Sequence, residues 1–219
     1  MGGKERIGKQ IAEVIQQINP VHYHEPFCGM FSVGKHIQCE KRTAGDINLD
    51  LIMLLGAVRD GWIPPDVITE EQYTELRSSV SSPLRGFAGF GCSFYGKFFG
   101  GYARDKQGSN YAAISRRSLL KLAPMIQNVE FRWERYQHVG ADVVYCDPPY
   151  SGTTNYSCGG FDNDQFWEWV RATSLGAVVL VSEYTAPPDF TAIWEKPVTT
   201  SMRGRDGGFK RVEKLFRLI

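Results

Sequence analysis

Several features are scarce or missing in this chain of 219 residues. No apolar run reaches the ~20 residues of a membrane-spanning helix, so a membrane partner is not expected. The start, MGGKERIGKQIAEVI, is charged and lacks the apolar stretch of a secretory leader, which points to a cytoplasmic protein. Cysteine pairing is also absent. Cys28, Cys39, Cys92, Cys146 and Cys158 are odd in number, scattered and without any C-x-x-C. Reduced thiols fit this better than a disulfide framework, and no zinc site is expected. Excess charge is missing too: 25 Lys and Arg against 24 Asp and Glu give a net charge of +1, so bulk charge does not mark a nucleic-acid binder. Nor is there an internal repeat or a low-complexity tract. What remains is an ordinary globular composition, long enough for one good-sized domain or a core domain with one insertion.

The charge that is present lies unevenly. Residues 97–135 hold eight Lys/Arg against three Asp/Glu, and residues 196–214 hold six against two. Residues 46–75 are acidic. Two separated basic stretches suggest one basic surface, although a solvated mixed-charge face would read the same way.

Ile7, Ile11, Val14, Ile15 and Ile18 recur at spacings of three and four, which predicts a helix over residues 4–18. Lys4 falls in its first turn, where the helix dipole disfavours a cation. It either answers an anionic group or is an exposed terminal lysine. Asn19-Pro20 stops the helix. Residues 21–24 alternate weakly as a first strand and run into Glu25-Pro26-Phe27-Cys28-Gly29. A strand, Gly29, then residues 32–36 opening a helix resembles the first βα turn of a nucleotide-binding fold, although the full G-x-G-x-x-G is lacking. His22 and His24 stand two apart on that strand, too few alone for a metal site. Asp46 ends a second strand 17 positions after Gly29. An acid there suits ribose hydroxyls, or it caps the helix that runs through residues 50–55.

Thr69-Glu70-Glu71-Gln72 has the form of a capping box. Residues 87–102 mix glycine with aromatic residues at neither helical nor strand period, which suits either ligand stacking or a packed core. Residues 113–125 predict a helix bearing Arg116, Arg117 and Lys121, and residues 129–133 a strand. Val143-Val144-Tyr145-Cys146 reads as a buried strand that two prolines end abruptly. Asp147-Pro148-Pro149-Tyr150 thus presents a carboxylate, carbonyls outside any ladder and an aromatic face at a strand's carboxyl end, where open α/β sheets place ligands. A plain proline turn is the alternative. The polar segment 151–161 has the make-up of a lid. A helix over 164–173, strands near 177–182 and 194–202, a glycine-rich basic loop at 203–208 and a last strand over 212–219 complete an α/β pattern.

Together these motifs resemble the Dam-like class of adenine-N6 DNA methyltransferases, in that family's order. They are Gly2-Gly3-Lys4, EPFCGMFSVG at 25–34, AGDINLDLI at 44–52 and VVYCDPPY at 143–150, with weaker matches in VLVSEY at 179–184 and VEKLF at 212–216. The resemblance implies an α/β fold: a Rossmann-like S-adenosylmethionine-dependent methyltransferase sheet with helices on both faces. Residues 1–58 and 138–219 would form it, with a compact DNA-recognition insertion over 59–137. It implies S-adenosylmethionine as cofactor, with Lys4 at its carboxylate, Asp46 at its ribose, and Pro26, Phe27, Gly29, Ile47 and Asp147 around it. Asp147, Pro148, Pro149 and Tyr150 would hold an adenine flipped from double-stranded DNA. Arg116, Arg117, Tyr156, Arg203 and Arg205 would contact the DNA. A cognate restriction endonuclease is the further partner implied; no metal is. Where the family often has a second glycine this chain has Phe31, so the turn there is expected to differ. The alternatives are a methyltransferase acting on RNA or protein, and a nucleic-acid-binding relative without catalysis. Amide-directed relatives more often carry Asn where Asp147 stands.

Overall fold

The computed structural model describes residues 4–137, 140–149, 161–199 and 210–219. Seven strands form one sheet: β1 (His22–Glu25), β2 (Lys41–Asp46), β3 (Val129–Trp133), β4 (Val143–Cys146), β5 (Val178–Glu183), β6 (Phe190–Thr199) and β7 (Lys210–Leu218). Their order across the sheet is β3-β2-β1-β4-β5-β7-β6. The first five run parallel, and β7 runs antiparallel to both β5 and β6. This is the Rossmann-like methyltransferase arrangement that the resemblance implied. The strand order reverses between β1 and β4, and at such a switch point the loops leaving two neighbouring strands part to opposite sides and open a crevice. The outermost strand, β6, carries Pro197, which has no amide to offer a further strand.

Parallel strands bury both faces, and the residues divide by parity. Tyr23, Ala44, Val143, Tyr145 and Leu180 join one apolar cluster with Ile11 and Ile15 of α1 (Gly8–Gln16) and Leu51, Leu54 and Leu55 of α2 (Leu49–Arg59). Val144, Cys146, Val179 and Val181 join a second, with Phe166, Trp167 and Val170 of α6 (Asn163–Thr173). Helices therefore cover both faces, as expected. Among the described residues no helix is long and apolar enough to cross a membrane.

Between α2 and β3 lie α3 (Glu70–Ser78), α4 (Pro83–Gly86) and α5 (Tyr111–Leu122). The capping box forms: the Gln72 amide donates to Thr69 Oγ1 at 3.2 Å, and the Thr69 amide to Gln72 Oε1 at 2.9 Å. Buried Asp50 accepts from the Ser82 amide at 3.0 Å and pairs with Arg85, tying α4 to α2. A Cβ on Gly86 would stand 2.3 Å from the Asp50 carbonyl oxygen, so this approach requires glycine. The glycine–aromatic stretch turns mostly inward. A π-helical turn at Phe87–Gly91 puts Phe87 in the core, and Phe98 and Phe99 close over Gly89, with the Arg85 guanidinium 5.2 Å and 5.3 Å from their ring centres. Tyr73, Phe87, Leu119 and Ile126 share the cluster that holds α1 and α2. Residues 129–133 fall inside 59–137, yet β3 pairs with β2 and forms the edge of the main sheet. A strand's sequence does not state which neighbour it will find.

Candidate active site

The crevice begins with the turn after β1. The Cys28 amide donates to the Gly45 carbonyl at 2.9 Å, and the Gly29 amide to Asp46 Oδ2 at 3.2 Å, so the turn is fastened to the end of β2. Gly29 has φ +47°, and nothing lies within 4 Å of where its Cβ would be. The turn is open above that residue. Phe31 has φ +56° and is fully buried. At the position where a different turn was expected, Phe31 adopts the left-handed conformation in which glycine is usual. Its ring packs edge-on to Phe131, with centroids 5.8 Å apart, and presses on Gly34.

Asp46 ends β2. Its Oδ1 accepts from the Asn48 amide at 2.8 Å, while Oδ2 holds Gly29. The helix cap is Asn48, whose side chain accepts from the Leu51 amide at 3.0 Å, which leaves Asp46 to the turn. Burial pushes the Asp46 carboxyl above its ordinary range, against the amides of Asn48, Gly29 and Ile47. Ile47 is exposed, and its carbonyl accepts from Trp133 Nε1 at 2.9 Å. Trp133 stands opposite Asp46 in the β2–β3 register and is also exposed. Sequence reasoning passed over it; an exposed indole closing a strand next to an acidic strand end was the available signal.

Asp147 leaves β4 on the other side of β1, followed by buried Pro148 and half-buried Pro149. Buried Lys4 reaches it. The Lys4 ammonium donates to Glu213 Oε2 at 2.7 Å and lies 3.4 Å from Asp147 Oδ1. The side chains of Lys4, Glu213 and Asp147 are 6%, 10% and 29% exposed. The reading of Lys4 as facing an anion is met by two protein carboxylates. Burial works to lower the Lys4 pKa, but Asp147 and Glu213 outweigh it and hold the ammonium above its usual value. Burial raises the Asp147 carboxyl, which Lys4 opposes and Glu213 and Glu183 reinforce. Nearby Glu25 is buried, and its Oε2 accepts from Tyr23 Oη and from the Gly34 amide, both at 2.9 Å. Burial pushes its carboxyl up to about 8.

The remaining candidates are spread more widely. Pro26 is buried. Phe27 stacks on Tyr136 at 5.3 Å and meets Phe161 and Phe166 edge-on at 5.8 Å and 5.7 Å, an aromatic group whose later members the motifs did not announce. Arg116 pairs with Asp66, while Arg117 is exposed beside it on α5. Tyr150, Tyr156, Arg203 and Arg205 lie outside the described residues. His22 Nε2 and His24 Nδ1 flank Thr43 Oγ1 at 3.0 Å and 2.8 Å, and no metal-binding cluster occurs among the described residues. Tyr95, 93% exposed with φ +53°, projects from the aromatic stretch beside half-exposed Phe94.

Solved structures resemble the chain over nearly its whole length. A protein from Thermoplasma acidophilum is 11% identical over 100% of this chain and 98% of its own, with a TM-score of 0.46. A methyltransferase from Geobacter sulfurreducens is 11% identical over 100% and 80%, with a TM-score of 0.41. An O-methyltransferase from Bacillus cereus, solved with S-adenosylhomocysteine (SAH), is 11% identical over 100% and 82%, with a TM-score of 0.39. With scores this low the fold assignment rests on the strand order itself. No curated protein matches the sequence. Residues 1–83, which carry Lys4, the Gly29 turn and Asp46, match the model of the D12 class N6 adenine-specific DNA methyltransferase family.

Proposed function

We propose that the protein is a site-specific DNA adenine-N6 methyltransferase, transferring a methyl group from S-adenosylmethionine to an adenine flipped out of double-stranded DNA. The observation that carries this reading is the position of Asp147 at the end of β4, across the switch point from the clasp of Gly29 and Asp46. The family match over residues 1–83 supports it independently. The residues present suit a nucleoside-bearing cofactor: the space above Gly29 is open, Asp46 anchors the turn, and Ile47 and Trp133 offer exposed apolar faces.

S-adenosylmethionine supplies an electrophilic methyl group on a sulfonium sulfur. The chain's own task is to make a poor nucleophile attack it. An exocyclic adenine amine has its lone pair delocalised into the ring. Asp147 as carboxylate and the Pro148 carbonyl each accept a hydrogen bond from the amine and turn its lone pair out of the ring plane. Once methylated, the nitrogen would have one proton to lose, and Asp147 would receive it. Lys4 favours the ionised form of Asp147 that this role needs, against the burial that disfavours it. Tyr150 would stack on the base, and Arg117 with the basic loop would meet phosphates.

The test is incubation with labelled S-adenosylmethionine and unmethylated double-stranded DNA, with RNA in parallel. Sequencing that detects modified adenines should find N6-methyladenine at a recurring short site. Label in RNA alone, or in neither, overturns the DNA reading.

A further inference from the structure

We propose that Glu213 is a positioning residue: it holds Lys4 back from Asp147, so that the catalytic carboxylate keeps its lone pairs for the substrate amine. This rests on the role given to Asp147 above.

Lys4 and Glu213 are 209 residues apart in sequence, yet their 2.7 Å bond is the shortest contact of the ammonium with the two carboxylates. An ammonium has three hydrogens on one mobile stem and settles on the stronger acceptor. Here the stronger contact is with Glu213, which comes from β7, while Asp147 at 3.4 Å receives charge without a short hydrogen bond. The two distances separate two effects. At 3.4 Å in a largely buried setting, Lys4 still stabilises the ionised form of Asp147. It does not occupy Asp147 Oδ1 as a short hydrogen bond would. A lysine resting fully on Asp147 would keep the carboxylate ionised but compete with the amine for the same oxygen. Glu213 lies one residue after half-exposed Val212 in β7 and is itself buried. A carboxylate is costly to bury, and this one is buried against the Lys4 ammonium.

The charged groups facing Asp147 among the described residues bear on the outcome. Lys4 comes from the amino terminus, Glu213 from β7 and Glu183 from the end of β5, where its Oε2 accepts from the Tyr184 amide at 2.7 Å. Glu25 comes from β1, and Tyr145 and Cys146 precede Asp147 on β4. Among these described groups Lys4 is the cation. Removing the charge at Glu213 therefore does two things to Asp147 in the same direction: it deletes a repelling anion and lets the ammonium fall onto Oδ1.

The experiment follows the Asp147 carboxyl by carbon-13 NMR titration in the full chain, assigned with Asp147→Asn. Glu213→Gln is expected to lower the Asp147 pKa by about one pH unit, as a neighbouring charge does at this range. Lys4→Gln should raise it. In the Lys4→Gln background, Glu213→Gln should have less than half its single effect. An unmoved Asp147 in Glu213→Gln, or additive effects in the pair, overturns the proposal. The kinetic arm measures kcat against pH. Glu213→Gln should move the acid limb down with the NMR value while kcat at neutral pH falls roughly tenfold or more, with the KM for cofactor little changed; unchanged kcat overturns the proposal. A wild type that transfers no methyl group would end the reading of Asp147 as catalytic, yet the titration would still decide whether Glu213 governs the Lys4–Asp147 contact. If Glu213→Gln does not fold, Glu213→Asp keeps the charge and withdraws it by one methylene. A smaller downward shift is expected there, and no shift overturns the proposal.

Discussion

Replacing Glu25 with Gln tests the electrostatics beneath the site directly. Both hydrogen bonds to this side chain, from Tyr23 Oη and the Gly34 amide, end on Oε2. That is the pattern of a neutral carboxyl, with one oxygen accepting twice and the other carrying the proton. Burial lifts its pKa to about 8 from an ordinary 4.5. A raised acid binds its proton more tightly in the folded than in the unfolded chain, so its contribution falls as pH rises from 4.5 to 8. The full penalty above pH 8 is roughly 4–5 kcal/mol at 1.36 kcal/mol per pH unit. His24 works in the opposite sense. Burial, with Arg132 and His22, lowers its pKa to about 4 from 6.5, so its contribution rises with pH across that window and is complete above it. Between pH 4.5 and 6.5 the two slopes nearly cancel. Between pH 6.5 and 8 only the Glu25 slope remains of the two, and the wild type loses about 2 kcal/mol.

In Glu25→Gln the amide oxygen accepts both bonds, and the slope disappears. The new NH2 group needs an acceptor, at a cost of about 1–3 kcal/mol where it finds none. The variant should therefore be less stable than wild type near pH 5 and more stable by roughly 2 kcal/mol near pH 8. Urea unfolding followed by circular dichroism at half-unit steps from pH 5 to 8.5 measures this. The difference between the two proteins isolates Glu25, because every other titrating group is common to both. A constant difference across the range would refute the raised pKa and the neutral carboxyl with it.

Asp147→Ala should remain folded and lose methyl transfer by about 10³-fold or more, since the amine loses its principal acceptor; substantial residual turnover in a radiometric assay would contradict the assignment. Asp46→Ala releases the Gly29 amide and should weaken cofactor binding roughly tenfold by calorimetry, in the range of one lost charge-assisted hydrogen bond. Phe31→Ala should cost about 3–4 kcal/mol through the cavity it leaves. Phe31→Gly should cost about 1 kcal/mol less than Ala, because glycine is at ease at positive φ; chemical denaturation that ranks Gly below Ala would deny the strain. Tyr95→Ala should leave stability within about 0.5 kcal/mol, while weakening DNA binding by about 1–3 kcal/mol if the ring stacks on a base. Equal affinities by fluorescence anisotropy would remove Tyr95 from the DNA surface.

The parts of this molecule that were legible in the sequence are those that short-range chemistry decides. The isoleucine spacing announced α1, the capping box announced α3, and two prolines announced the end of β4. That Asp46 ends a strand was legible too. What stayed hidden depends on partners far along the chain. Nothing in residues 129–133 says that they will flank β2, and nothing near Lys4 names Glu213. Charge and periodicity carry no address.

Phe31 shows how a local departure can be absorbed. The missing glycine suggested a different turn, and the backbone at Phe31 is left-handed. Holding a non-glycine residue there costs roughly 1–2 kcal/mol. The ring offsets this on the far side of the turn, where it is fully buried against Phe131; full burial of a phenylalanine contributes about 1.5–3 kcal/mol. The side chain points into the core and leaves the space above Gly29 open. A glycine is needed in such a turn only where a side chain would enter the ligand's space. At position 31 the side chain turns away from that open space, and its burial outweighs the strain of the left-handed backbone.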